Sequence, residues 1–109
     1  MKIAVGSGLG TVWSTYDPRC LDEDLGHTVA GGEGAMLRTS FALAERGHDV
    51  EVFAPTKGPT SYRGARFRPL QDAHLAILTE PFDALCSWSD AAAIRCAPPT
   101  TRRIFVQQL

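Results

Sequence analysis

The chain has 109 residues, with 11 Lys and Arg against 12 Asp and Glu, so its formal net charge is −1. A nearly neutral chain has no electrostatic attraction for nucleic acid or for an anionic membrane surface, and neither is expected as a partner. With 44% hydrophobic residues, a chain of this length is predicted to fold as one globular unit over residues 1–109.

The metal-binding and targeting signals of the sequence are weak. Cys20, Cys86 and Cys96 are odd in number and lack a CxxC spacing, which predicts buried free thiols rather than disulfides or a zinc site. His74 has no partner at metal-ligand spacing, so no metal is expected. No stretch is long enough to span a bilayer, and the N-terminus lacks a signal-peptide pattern, so a cytoplasmic location is predicted.

The chain begins with a strand pattern followed by a glycine-rich turn. The short apolar run Lys2–Val5 predicts a buried parallel strand, and glycines at 6, 8 and 10 end it. The dinucleotide fingerprint G-x-G-x-x-G would need glycine at position 11, where Thr11 stands, so that motif fails.

A long loop over residues 11–30 follows this turn. It contains Trp13, Tyr16 and Asp17, and long loops without periodicity in compact domains are usually functional or disordered. The aromatic residues favour either an ordered loop that faces a ligand or a hydrophobic lid that packs on the sheet. Both interpretations stay open at this point.

Residues 30–53 carry most of the structural signal. Glycines at 31, 32 and 34 precede an apolar stripe at Leu37, Phe41 and Ala44, which predicts a glycine turn and then an amphipathic helix. Gly47 has the position of a left-handed helix cap, and the alternating residues after it predict a second strand.

The rest of the chain continues the alternation of strands and helices. The patterns predict a short strand over 65–70, a helix over 71–80 with Leu75 and Leu78 on one side, a buried strand over 82–88, a short helix over 91–96 and a last strand over 103–106. Short connections between such elements predict an α/β fold, a Rossmann-like doubly wound and mostly parallel sheet with helices on both faces.

In such sheets, ligands bind at the carboxyl ends of the strands where the strand order reverses. This crevice would be lined by residues 6–10, by Gly31, Gly32 and Glu33, and by residues 87–89. A helix N-terminus with glycine backbone favours a phosphate, although the same glycines could simply allow close helix–strand packing. Spacing alone does not separate the two.

The motif from residue 30 to residue 52 resembles that of a known enzyme family. Leu43-Ala44-Glu45-Arg46-Gly47-His48-Asp49-Val50-Glu51-Val52 is similar to a segment in the N-terminal domain of retaining glycosyltransferases of the GT-B fold, the glycogen synthase-like and sucrose synthase-like group 4 enzymes. Glu33 falls on the Glu of the family's Gly-Gly-x-Glu, Gly31 falls on its second Gly, and Ala30 replaces the first. Phe82-Asp83-Ala84-Leu85 looks like another strand of the family, and the resemblance covers essentially the whole chain.

The resemblance implies a function for the whole enzyme. It would move a sugar from a nucleotide-sugar donor to a hydroxyl acceptor, with the donor phosphates near Gly31, Gly32 and Glu33 and with neither cofactor nor metal. The family's histidines would fall at residues 86–88 and near Gln108, where this chain has none, so the catalytic residues are unknown. Loop length and aromatic content suggest acceptor binding by Trp13, Tyr16, Asp17 and Trp88, the aromatic rings as stacking surfaces and Asp17 as a hydroxyl acceptor.

Members of this family have a second Rossmann-like domain that holds most nucleotide-sugar contacts. The 109 residues contain no such domain, so the chain is expected to be a fragment with negligible transferase activity alone, partnered by a missing C-terminal domain.

Two other classes remain as alternatives. An NAD(P)-binding oxidoreductase domain would share the fold, and Lys57 could bind a 2′-phosphate, although Ala54-Pro55-Thr56 offers no carboxylate for a ribose. A non-catalytic module would dock onto another domain through exposed apolar surface, through which the chain could also associate with itself.

Overall fold

A computed structural model describes residues 1–7, 15–29, 31–57, 59–88 and 91–106. Within these ranges, two 3₁₀ turns accompany the regular elements, at Pro18–Leu21 and Leu70–Asp72. The helices are α1 (Gly31–Glu45), α2 (Ala73–Thr79) and α3 (Ala91–Cys96). The strands are β1 (Lys2–Ser7), β2 (Asp49–Phe53), β3 (Ser61–Tyr62), β4 (Ala65–Arg68), β5 (Ala84–Trp88) and β6 (Arg102–Val106).

The strands in the described residues form one six-stranded sheet in the order β3-β4-β2-β1-β5-β6. All neighbouring pairs are parallel except β3 and β4, and Val5 lies between Val52 and Cys86 in the register. The prediction of an α/β fold with a mostly parallel sheet is therefore confirmed, and the strand order is compatible with a Rossmann-like fold.

The β3–β4 hairpin was missed by sequence analysis. Its two turn residues, Arg63 and Gly64, both have positive φ values, 50° and 83°. Positive φ at both central residues is typical of tight hairpin turns whose twist matches that of the strands. The hairpin adds the short edge strand β3 to the sheet.

One face of the sheet packs against α1. Val5, Val52 and Cys86 are neighbours in register on adjacent strands and therefore share a face, and they belong to the same buried cluster as Leu37 and Phe41 of α1. Gly47 has a φ of +91°, and the N–H of His48 donates to the carbonyl of Leu43 at 3.3 Å. The left-handed cap predicted at Gly47 is therefore confirmed, and it turns the chain directly into β2.

The opposite face packs against α2 and α3. Phe53 and Leu85 meet small residues of the two helices, such as Ala76 and Ala93. Leu75 and Leu78 are 69% and 57% exposed, so the two leucines face outward, and alanines with Ile77 form the buried side of α2. Small residues allow the two short helices to lie close to the sheet.

Charged side chains cover part of this second face beside the helices. The carboxylate of Glu51 is 3.9 Å from Lys2, 3.3 Å from Arg66 and 3.5 Å from Arg68. Arg68 also pairs with Glu80 at 2.8 Å and lies over the ring of Phe53. These contacts raise the pKa of Arg68, mainly through its hydrogen bond with Glu80. The charges therefore form a neutralised network over β2 and β4.

The helices of the described residues are short. The longest of them, α1, has 15 residues. Within the described ranges, no helix has the length and apolar character that crossing a membrane requires.

Candidate functional site

The candidate site lies where β1, β5 and α1 meet. Ser7, the last residue of β1, is in register with Trp88, the last residue of β5. From β1 the chain passes through α1 to β2, which pairs with one side of β1. The later strand β5, which follows α2, pairs with the other side of β1. The strand order thus reverses between β1 and β5, the position at which open α/β sheets bind ligands. Residues 8–14 and 89–90 lie outside the described residues.

Helix α1 begins at Gly31 after the loop that follows β1. Gly31 and Gly32 therefore supply N–H groups of the first helical turn, which have no partner within the helix and carry its positive dipole end. Glu33 puts a carboxylate in the same turn. Its charge stabilises the helix but repels a second anion, so a phosphate here would be bound by the glycine N–H groups.

Tyr16 holds the carboxylate of Glu33. Its hydroxyl donates to Glu33 Oε2 at 3.1 Å, and its side chain is 4% exposed within the core on the α1 side. Burial, followed by the charge and hydrogen bond of Glu33, raises the pKa of Tyr16 well above its usual range. The hydroxyl stays protonated and keeps donating. The ring of Tyr16 lies in the buried cluster on the α1 side of the sheet.

The backbone of Tyr16 is tied to the end of β2. Tyr16 pairs with Thr56 in a parallel bridge. Its N–H donates to the carbonyl of Pro55 at 3.2 Å, and its carbonyl accepts from the N–H of Lys57 at 2.8 Å. Leu21 and Val29 also pack against the core, so three described residues of this loop contribute to the α1 side of the sheet.

Asp17 is bound within its own segment. Its carboxylate accepts from the N–H of Arg19 at 3.0 Å and from Arg19 Nη2 at 2.6 Å, and it caps the 3₁₀ turn at Pro18–Leu21. The hydrogen bonds from Arg19 lower the pKa of Asp17. The N–H of Asp17 donates to His27 Nε2 at 3.1 Å. An acceptor hydroxyl would have to share this carboxylate with Arg19.

Trp88 lies on the α1 side of the sheet at the end of β5. It is 7% exposed, and its Nε1 is buried with no hydrogen-bond partner among the described residues. Trp13, the other tryptophan predicted to bind the acceptor, lies outside the described residues. Tyr16 and Trp88 belong to the same buried cluster. Acceptor binding by Trp13, Tyr16, Asp17 and Trp88 stays a prediction, as does phosphate binding by Gly31, Gly32 and Glu33.

Trp88 also lines an apolar groove that sequence analysis missed. The groove has a volume of about 460 Å³ on the α1 side of the sheet. Burial raises the pKa of the Cys86 thiol, which keeps this group protonated and unreactive near neutral pH. The groove is lined by Ile3, Leu43, Cys86, Trp88, Ile104 and Val106, and we call it the β5–β6 groove.

A second cavity, also missed from the sequence, lies at the carboxyl ends of β2 and β4. Its volume is about 360 Å³. The signal in the sequence was the segment after β2, in which the pair Pro-Thr occurs twice, at Pro55-Thr56 and at Pro59-Thr60. The cavity is lined by Thr15, Thr56, Thr60, Phe67, Leu70 and Gln71, among others, and we call it the β2–β4 pocket.

Metal ligands and similar proteins give no further assignment. In the described parts of the chain, no three His, Cys, Asp or Glu residues lie close enough together to hold a metal ion. Comparisons with protein-family models, with curated proteins and with solved structures found no match to this chain.

Proposed function

We propose that this chain is the N-terminal, acceptor-side domain of a GT-B glycosyltransferase, which moves a sugar from a nucleotide-sugar to a hydroxyl acceptor. The observation that carries the proposal is the position of α1, whose glycine N-terminus follows β1 beside the reversal of strand order. The capped return at Gly47 into β2 supports it, because this is the segment with the most specific resemblance to the family.

In the proposed reaction, the bond between the sugar C1 and the phosphate oxygen breaks, and the nucleoside diphosphate leaves with the electron pair. The acceptor hydroxyl oxygen bonds to C1 and loses its proton. Negative charge develops on the leaving phosphate, and the N–H groups of Gly31 and Gly32 would stabilise it by about 0.3–1 kcal/mol at an exposed helix end. The groups that handle the proton are not assigned.

The carboxylate of Glu33 has a different role in this proposal. Because Tyr16 holds it at the first turn of α1, it carries a fixed negative charge beside the phosphate position. A fixed carboxylate is suited to accept a hydrogen bond from a neutral hydroxyl, either of the donor sugar or of the acceptor. We therefore assign phosphate binding to the glycine backbone and hydroxyl binding to Glu33.

An NMR titration of the whole chain with UDP, GDP and NADPH tests the proposal. We expect UDP or GDP to shift the amide signals of Gly31, Gly32 and Gly34 with saturation in the millimolar range. Tight NADPH binding with shifts at Thr56 and Lys57 would instead favour the oxidoreductase alternative. If no nucleotide shifts any amide of the first α1 turn, the proposal is wrong.

A further inference from the structure

We propose that the β2–β4 pocket is a binding site for a neutral polyhydroxylated ligand, namely one sugar ring or a cyclic polyol of similar size. The pocket opens at the carboxyl ends of parallel strands, the edge of an α/β sheet at which ligands bind. This inference rests on the proposed function, in which it supplies a subsite for the acceptor.

The size of the pocket selects a small ligand. Its volume of about 360 Å³ is near the lower end of the range for small-molecule sites, roughly 300–1,000 Å³. A single sugar ring fits such a volume, whereas a complete dinucleotide would extend far outside it.

The polar groups of the pocket match hydroxyl groups. Thr15, Thr56, Thr60 and Gln71 line it, and a threonine hydroxyl or a glutamine amide can both donate and accept hydrogen bonds. Sugar hydroxyls have the same double capacity. Within the described residues, these four side chains make no hydrogen bonds to the protein, so a ligand would not have to displace an internal partner.

The charge of the pocket disfavours an anion. Arg68 is its one cation among the described lining residues, and both terminal nitrogens of that side chain already donate to Glu80, at 2.8 and 2.9 Å. Glu51 lies 3.5 Å from the same guanidinium. Two carboxylates thus compensate the positive charge, and a phosphate would meet no free counter-charge in the pocket.

The floor of the pocket is apolar. Ala54, Phe67 and Leu70 are each buried and line it, Ala54 directly after β2, Phe67 in β4 and Leu70 in the 3₁₀ turn after β4. A pyranose ring has C–H groups on its faces and hydroxyls around its edge, so its face can pack on these residues while its edge reaches the threonines. A purely apolar ligand would leave the threonine and glutamine groups without partners.

The walls of the pocket are held in place before any ligand binds. Pro55, Pro59 and Pro69 line it and have restricted backbones. The bridge between Tyr16 and Thr56 fixes one side, and the N–H of Phe67 donates to the carbonyl of Thr60 at 2.8 Å on the other. A site that is already ordered loses little entropy on binding.

The test is an NMR titration of the whole chain with D-glucose, D-mannose, D-galactose and myo-inositol, with circular-dichroism melting as a check on folding. We expect at least one of them to shift the amides of Thr56, Thr60 and Gln71 with saturation. Thr56→Val should weaken that binding about fivefold, the size expected for one lost hydrogen bond. The matched change Thr100→Val, in an exposed turn outside the pocket, should leave the affinity unchanged.

Several outcomes would overturn the proposal. One is the absence of a saturable shift with all four compounds, even at ligand concentrations far above the millimolar range. The others are shifts confined to residues outside the pocket, or equal effects of Thr56→Val and Thr100→Val on the affinity. A preference for NADPH at Thr56 would also overturn it. Failure of the sugars together with UDP or GDP binding at Gly31 would reject the subsite and leave the proposed function standing.

Discussion

The hydroxyl of Tyr16 donates a hydrogen bond of 3.1 Å to the carboxylate of Glu33, across 17 positions of the chain. The same Tyr16 is bonded through its backbone to Pro55 and Lys57 after β2. One residue therefore joins three parts of the candidate region: the segment before the first 3₁₀ turn, the end of β2 and the first turn of α1. The position of the Glu33 carboxylate depends on this junction.

Replacing Tyr16 with Phe removes the hydroxyl and keeps the buried ring. Because the lost bond is made to a charged group at a part-buried position, we expect the free energy of unfolding to fall by about 1.5–3 kcal/mol. Urea denaturation measures this fall in the free energy of unfolding. Tyr62→Phe is the matched control, because the Tyr62 hydroxyl donates to Asp22 at an exposed position, and its loss should be below about 1 kcal/mol. Equal losses in the two variants would show that the Tyr16–Glu33 hydrogen bond contributes no more to stability than the exposed Tyr62–Asp22 bond.

Replacing Glu33 with Gln removes the negative charge at the start of α1. If the glycine N–H groups bind phosphate, UDP or GDP affinity should rise about two- to fivefold, since a like charge near the helix N-terminus has gone. Glu45→Gln makes the same change in net charge at the other end of α1 and should leave the affinity unchanged. Weaker binding by Glu33→Gln alone would mean that the carboxylate itself contacts the nucleotide. Calorimetry or NMR titration gives the comparison.

Asp17 should make part of the stability depend on pH. Arg19 lowers the pKa of Asp17 in the folded chain below the unfolded value of about 3.9, so the folded state favours the charged form. The stabilisation is complete above the unfolded pKa and is lost as the pH falls through the lower, folded pKa. Near pH 7, the free energy of unfolding of the wild type should exceed that of Asp17→Asn by about 1–2 kcal/mol. This difference should shrink as the pH falls into the acid range.

Urea denaturation of both proteins from pH 7 down into the acid range measures this difference. Asp72→Asn is the control, because Asp72 is exposed and its side chain makes no capping hydrogen bond at the start of α2. A constant difference between wild type and Asp17→Asn at all pH values would contradict the linkage.

The β5–β6 groove and the edge strand β6 should cause association at high concentration. Ile104 and Phe105 are 53% and 45% exposed on opposite faces of an edge strand, and unprotected apolar edges are prone to pair with other chains. Sedimentation should show a rising mass with concentration, abolished by Ile104→Lys. The control Leu75→Lys places the same charge on an exposed leucine of α2 and should not abolish it. A concentration-independent monomer mass for wild type would contradict the prediction.

Parts of the fold could be predicted because they depend on local signals. The apolar stripe of α1, the glycine cap at Gly47 and the alternation in β2 each follow from the spacing of neighbouring residues. The hairpin at Arg63 and Gly64 was missed because a two-residue strand has almost no periodicity. The spacing of Leu75 and Leu78 predicts an apolar side of α2, but both leucines are exposed, and Ala73, Ala76 and Ile77 face the sheet instead.

The candidate site was less predictable, because burial and partners are properties of contacts between distant segments. The sequence suggested Tyr16 as a surface for stacking, since an aromatic residue in a long loop can either face a ligand or join the core. Only the bridge to Thr56 and the bond to Glu33 show which environment Tyr16 has. The partner of Asp17 is local, since Arg19 two residues later binds its carboxylate, but the spacing of the two residues does not by itself predict that their side chains pair.

The type and order of the main elements and the glycine start of α1 follow from local signals in the chain, because backbone preferences and hydrophobic periodicity act over a few residues. Which side chains meet at the strand ends depends instead on the packing of the folded chain. Tyr16 reaches Glu33 and the β2–β4 pocket forms because the parallel sheet brings the ends of β1, β2, β4 and β5 to one edge. No short-range pattern encodes that meeting, since it is set by register and packing between segments far apart in the chain.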